Sequence, residues 1–346
     1  MNRSFINRSL IAACICVLSV VVVFAQEPGA QQDTAKQQKK GGRKRPPPPG
    51  VATPGVRREM ASMTPLAVFP TEGMPDWQVL TDDSVWVSNG PKNTVHRLDV
   101  TTNKVAAVIP VGARPCSGLA AGFGSVWVPN CIDKTVSRVD IKTNKVVATI
   151  AASPSASEGG IAASPEAVWL VTDAKGVLSK IDPATNTVTG TVEVPSASAG
   201  VTYGEGLVWV TTPAKNMLTG VDPKTSKVVY SIEVGPGPRF VTTGAGSVWT
   251  LNQGDGTVSR VDARKGTLTA NIPCGLPGEG GEIAYGEGYV WATLYQAPIT
   301  QIDPATNAVI KQWFGAGGDA IRAGHGSVFL SNGHEGNVWR IDPRQP

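Results

Sequence analysis

The sequence predicts an all-β chain folded as a seven-bladed β-propeller with four-stranded blades, and three observations carry that expectation. An aromatic residue follows Val at Trp86, Trp127, Trp169, Trp209, Trp249, Trp291 and Phe329, at separations of 41, 42, 40, 40, 42 and 38 residues. A second comb, Asp99, Asp140, Asp182, Asp222, Asp262, Asp303 and Asp342, closes short alternating segments at spacings of 41, 42, 40, 40, 41 and 39. Two combs in register over most of the chain mark a repeat architecture. The third observation is composition: 39 Gly and 27 Pro in 346 residues make the chain dense in turns, and nine Trp against seven Phe and five Tyr is the ratio a repeated Trp produces.

The chain opens with Arg3 and Arg8 ahead of an uncharged apolar run, Leu10 to Phe24, that ends in Val23-Phe24-Ala25. This is the pattern of an export signal, with cleavage expected after Ala25; the run is short against the ~20 residues a spanning helix needs. Ile11-Ala12-Ala13-Cys14 resembles a lipoprotein box but precedes most of the apolar run. Residues 26–64 are rich in Gln, Lys, Arg and Pro, with Arg43-Lys44-Arg45 before four prolines, and are expected to form a disordered basic linker. Truncation as far as residue 60 is then expected to cost almost nothing. Residues 61–346 carry 21 Lys and Arg against 24 acids, so the propeller at 65–346 is nearly neutral and no specific nucleic acid is expected as a partner.

Each unit divides into four strand-like runs, as in Ser117–Ala121, Ser125–Pro129, Val136–Asp140 and Val146–Ile150, which is the make-up of a propeller blade. The Asp comb, followed in two units by Pro-Ala-Thr-Asn, reads as a turn signature: Asp accepts from the backbone and Pro presets φ. The Val-Trp step puts a large flat side chain between neighbouring sheets. The last unit stops after its third strand, Asn337–Asp342. Leu66–Phe69, a spare strand ahead of the first Trp, is expected to complete that blade and to cover its open edge.

Val85-Trp86-Val87-Ser88-Asn89, Ile109-Pro110-Val111-Gly112-Ala113-Arg114-Pro115 and Thr143-Asn144-Lys145-Val146-Val147-Ala148-Thr149-Ile150 resemble the 40-residue YVTN repeat of bacterial exported propellers. Trp replaces the name-giving Tyr in six of seven blades. The chain also resembles the virginiamycin B lyase (streptogramin lyase) family in repeat length and in its Gly-rich loops between blades. That family's chemistry implies a His base, acidic residues and a divalent cation acting on a cyclic ester, with the His at the start of an inner strand. At those starts stand Cys116, Glu158, Ala197, Arg239, Gly281 and Asp319 instead.

In a propeller, the loops between blades share a face with the loops between second and third strands, and ligand sites gather there. The first set carries Asp76 and Trp77, Arg114, Glu158, Arg239, Glu279 with Glu282, and Asp319 with Arg322; the second adds Tyr295, His334 and Glu335 among others. Acids and arginines around one mouth suit a small polar molecule or another exported protein. Glu279, Glu282 and Asp319 are the candidate ligands for Mg2+ or Ca2+, hard cations that carboxylates hold. His334 and Glu335 are the candidate catalytic pair. The leading expectation is therefore a periplasmic or secreted, monomeric binding protein with no transmembrane segment after cleavage; the alternative is a divalent-cation-dependent lyase or a lactonase. Glu279 and Glu282, in the loop Pro277–Glu282, are expected to be solvated and replaceable without loss of stability. Three cysteines remain after the signal. A hairpin turning at Phe123-Gly124 sets Cys116 opposite Cys131, which predicts a disulfide and leaves Cys274 free.

Overall fold

The computed structural model describes residues 50–155, 158, 160–294 and 296–345. The expected signal peptide (1–25) and residues 26–49 of the expected linker lie outside the described residues. Seven sheets follow one another around the ring, and blades 1 to 6 are each built outward in chain order from four antiparallel strands. Blade 1 consists of Pro75–Thr81, Ser84–Asn89, Thr94–Asp99 and Lys104–Pro110. Inner strands pack against the inner strands of adjoining blades, and that of blade 7, Ile321–Gly324, meets blade 1 to close the ring. Second strands such as Ser125–Asn130 are buried throughout, whereas outer strands such as Lys145–Ala151 are mostly open to solvent.

Both combs have a physical reason. The six comb tryptophans and Phe329 are at most 2% exposed. The indole N–H of Trp127, Trp209, Trp249 and Trp291 donates to a glycine carbonyl five residues earlier at 3.0–3.1 Å. Replacing one of these side chains by Ala should cost about 3–5 kcal/mol. Over Trp86, Trp127 and Trp249, and over Phe329, lies an arginine from the third strand: Arg97, Arg138, Arg260 and Arg340. Each also reaches into the next blade's turn, where Asn144, Asn186, Asn307 and Asn103 accept from it at 2.8–3.2 Å. The Arg340–Asn103 bond runs from blade 7 to blade 1, so the same latch that joins neighbours also locks the seam. In blade 4 the third-strand position is Gly220, and Tyr230 stacks on Trp209 at 6.0 Å instead.

The chain's start departs from the sequence expectation. The expected linker ran to Thr64, yet β1 (Arg57–Glu59) pairs in parallel with the outer strand of blade 6, Ala308–Phe314, as a fifth strand. That outer strand alone carries Trp313 and Phe314, which need cover, and Val56, Met60 and Met63 are buried with them on this side of the ring. Gln312 ties the segment down: its side-chain oxygen accepts from the Val51 N–H (2.8 Å) and its amide donates to the Cys274 carbonyl (2.9 Å). Truncation to residue 60 therefore removes buried surface. The clasp does form as the sequence requires, with β2 (Ala67–Pro70) antiparallel to Asn337–Ile341 as the fourth strand of blade 7.

The blade 2 inner strand is Ala120–Gly122, shorter than the expected Ser117–Ala121, because Ser117 and Gly118 take left-handed φ values of 59° and 87°. The ladder slips there, from Ala120 opposite Trp127 to Pro115 opposite Asn130. Cys116 and Cys131 are nonetheless joined, with Cα atoms 5.9 Å apart, and Cys274 is free and buried. Among the described residues, no helix is long and apolar enough to cross a membrane.

Candidate functional site

Three hydroxyls fix the mouth of the ring. Thr211, Thr293 and Ser331 each stand two residues after the comb aromatic of their blade, and each donates to a carbonyl where the next inner strand starts: Thr211 to Arg239 (2.7 Å), Thr293 to Asp319, and Ser331 to Asp76 (2.8 Å). The starts of the inner strands of blades 5, 7 and 1, which carry Arg239, Asp319 and Asp76, are thereby anchored. Between them Trp77, 5% exposed, packs on Phe240 across the ring with centroids 6.0 Å apart. Above Trp77 opens a cleft of about 660 Å³, lined by Asp76, Arg114, Glu158 and Asp319 together with the disulfide and Pro75, Pro115 and Ile132. Below it lies a separate void of about 30 Å³ beside Glu282 and Arg322.

The charges sort into pairs and remainders. Glu282, 3% exposed, forms an ion pair with Arg322 and accepts from the Ile321 N–H at 3.0 Å. Burial still pushes its carboxyl above the usual range, against the pull of Arg322. Glu158 pairs with Arg239 at 2.9 Å, half in solvent. Among the described residues, neither Asp76 nor Asp319 forms an ion pair with a lysine or arginine. Asp76 is half-buried at the cleft, and its carboxyl makes no hydrogen bond among the described residues. Burial, then the charges of Asp319, Glu282 and Glu158, push it well above the ordinary carboxylate range. Burial, then Glu158, push Asp319 up to about 6, although the Gly281 N–H and His334 pull the other way. Arg114 lines the same cleft, and its guanidinium is unpaired among the described residues. Its backbone is fixed by a 2.8 Å bond from its N–H to Asn93 Oδ1 and by the neighbouring disulfide. Preorganised but unsatisfied charges in a cleft are a recurring mark of function.

The family described as outer membrane protein assembly factor BamB matches residues 132–345. The chain belongs to this family. No curated protein matches it significantly. Among solved structures it is similar to a catalytically inactive virginiamycin B lyase from Staphylococcus aureus with quinupristin, at 15% identity over 79% of this chain and 96% of that one (TM-score 0.67). A streptogramin B lyase structure is similar at 16% identity over 78% and 94% (TM-score 0.64). Hydrazine synthase of Kuenenia stuttgartiensis is similar at 14% identity over 85% and 99% (TM-score 0.64). At these identities the likeness is one of fold.

In this BamB-family chain the ring gathers Arg114, Glu158 and Asp319 of the sequence candidates into the cleft and keeps Arg239, Glu282 and Arg322 beside it. Glu282 departs from the solvated position expected for it, because its loop folds back over the ring and delivers the carboxylate to Arg322. Glu279 of the same loop is exposed. Glu279, Glu282 and Asp319 do not converge, and among the described residues no three His, Cys, Asp or Glu side chains are grouped to hold a metal. These residues do not fit a Mg2+ or Ca2+ site of the expected composition. His334 is exposed, and Glu335 faces a different groove, beside Glu59 and Trp339. Tyr295 lies outside the described residues. Sequence reasoning missed the hydroxyl braces and the pairing of acids with arginines; a Thr or Ser two residues past the comb aromatic was the available signal for the first.

Proposed function

We propose that this protein is an exported binding protein whose loop face takes up a small polar ligand in the cleft above Trp77. One observation carries the proposal: Asp76, Asp319 and Arg114 line a single cleft of about 660 Å³ with their charges unspent, while neighbouring Glu158 and Glu282 are neutralised by arginines. A volume in this range suits small-molecule sites. Repeats resembling those of exported propellers, the disulfide and membership of the BamB family all fit a protein that works outside the cytoplasm. The family description favours a second reading, in which the same face meets another exported protein during assembly. The lyase or lactonase alternative draws support from fold likeness alone, since His334 and Glu335 do not reach the cleft together.

The test is a thermal-shift screen of the full chain against acids, amines, sugars, metals and cyclic peptides. A ligand bound at a hundred times its Kd adds about 2.7 kcal/mol to stability. The reading expects a hit that Asp76→Asn abolishes. A hit that survives Asp76→Asn, Asp319→Asn and Arg114→Gln together places binding elsewhere and overturns it.

A further inference from the structure

We infer that the ligand is a zwitterion of short-peptide size, with its ammonium group held by Asp76 and Asp319 and its carboxylate by Arg114. The inference rests on the binding reading above and deepens it. A cleft with only acids to spare would select a cation, and one with only a spare arginine an anion; this cleft has both. The two acids come from blades 1 and 7, adjoining across the seam, and Arg114 comes from the blade 1–2 connection, so the charges flank the inner end of blade 1. Between them the surface is apolar and stiff, formed by Trp77, Pro75, Pro115, Ile132 and the disulfide. That surface suits the body of a molecule that is charged only at its ends.

Electrostatics sets the order of the two contacts. Burial raises both carboxyls, and repulsion adds to it, from Asp319 at Asp76 and from Glu158 at Asp319. An ammonium between them relieves the repulsion and satisfies the hydrogen-bonding capacity that Asp76 leaves unused. A single inorganic cation lacks the ligands to complete its shell here, because Glu282 is committed to Arg322 and Glu158 to Arg239. An ammonium needs only three acceptors. Size points the same way. A cubic space of the cleft's volume has an edge of about 9 Å, and an extended tripeptide spans about 10 Å.

The experiment is calorimetric titration of the full chain at pH 7 with the tripeptide Leu-Gly-Gly in three forms: free, N-acetylated and C-amidated. The free form is expected to bind, and blocking either end to weaken binding at least tenfold, the usual effect of one charge-assisted contact. Asp76→Asn should weaken the free and amidated forms alike and leave the acetylated form unchanged. Arg114→Gln should weaken the free and acetylated forms and leave the amidated form unchanged. If the acetylated or the amidated peptide binds as well as the free one, or if no form binds, the zwitterion inference is overturned. A non-zwitterionic hit in the thermal-shift screen that Asp76→Asn abolishes would then leave the binding reading standing. Failure of both experiments would remove both.

Discussion

Two sets of aspartates occupy opposite faces of the same ring. On the face of the tight turns between third and fourth strands, Asp99, Asp140, Asp222 and Asp262 are held below the usual carboxylate range. The backbone N–H groups of Thr102, Thr143, Lys224 and Lys265, respectively, are the largest cause. At the mouth, burial holds Asp76 and Asp319 above it, helped at Asp76 by the charge of Asp319 and at Asp319 by that of Glu158. The residue type is the same, and the difference is what surrounds the charged form. A turn aspartate spends its charge on the chain that carries it and stabilises the fold. A mouth aspartate keeps its charge unspent at a cost to the fold, which is the usual position of a group kept for a ligand.

The contrast is sharpest where a charge pair is cut. Arg322→Gln leaves the Glu282 carboxylate buried without its cation and should lower stability at pH 7 by about 3 kcal/mol, measured by chemical denaturation. Because burial already raises the Glu282 carboxyl, the loss should shrink as pH falls and Glu282 takes up a proton. Asp319→Asn should have the opposite sign. A carboxyl raised from 3.8 to about 6 makes the native state bind more protons than the unfolded one between those values, so stability falls as pH climbs from 4 to 6 and stays low above it. Removing that group should raise stability at pH 7 by about 2 kcal/mol, flatten the pH dependence over that window and abolish ligand binding. On the other face, Asp140→Ala frees the Thr143 N–H and hydroxyl, both bonded to it at 2.8 Å. It should lower the melting temperature by a few degrees at pH 7 and have less effect at acid pH, where the native carboxylate itself protonates. Glu279→Gln, on an exposed side chain, should change stability by less than about 0.5 kcal/mol.

How much of this was legible in the sequence follows from where each signal lies along the chain. The Trp and Asp combs report contacts within one blade or between neighbours, so fixed spacing exposed the fold, the blade count and a clasp expected at 66–69, which forms at 67–70. The arginine latch was legible in principle, since Arg138 and Arg260 stand two residues before a comb Asp. The fifth strand at 57–59 was harder to read: its local composition is that of a linker, and only Trp313 and Phe314, far along the chain, require it. The mouth was legible as a set of loops but not as a set of pairs. Asp76 meets Asp319 only because the ring closes. Glu282 looked solvated because its loop is glycine-rich, yet the same glycines let the chain turn tightly enough to bury its carboxylate.

Carboxyl titration by NMR, with Asp319 and Asp140 followed in one experiment, tests the contrast most directly. Asp319 should titrate near 6 and Asp140 below the ordinary aspartate value, with Asp319 falling toward the ordinary value once a cationic ligand is bound. An Asp319 midpoint at or below 4 in the unliganded protein would mean that the mouth acids are as well satisfied as the turn acids, and would contradict the account.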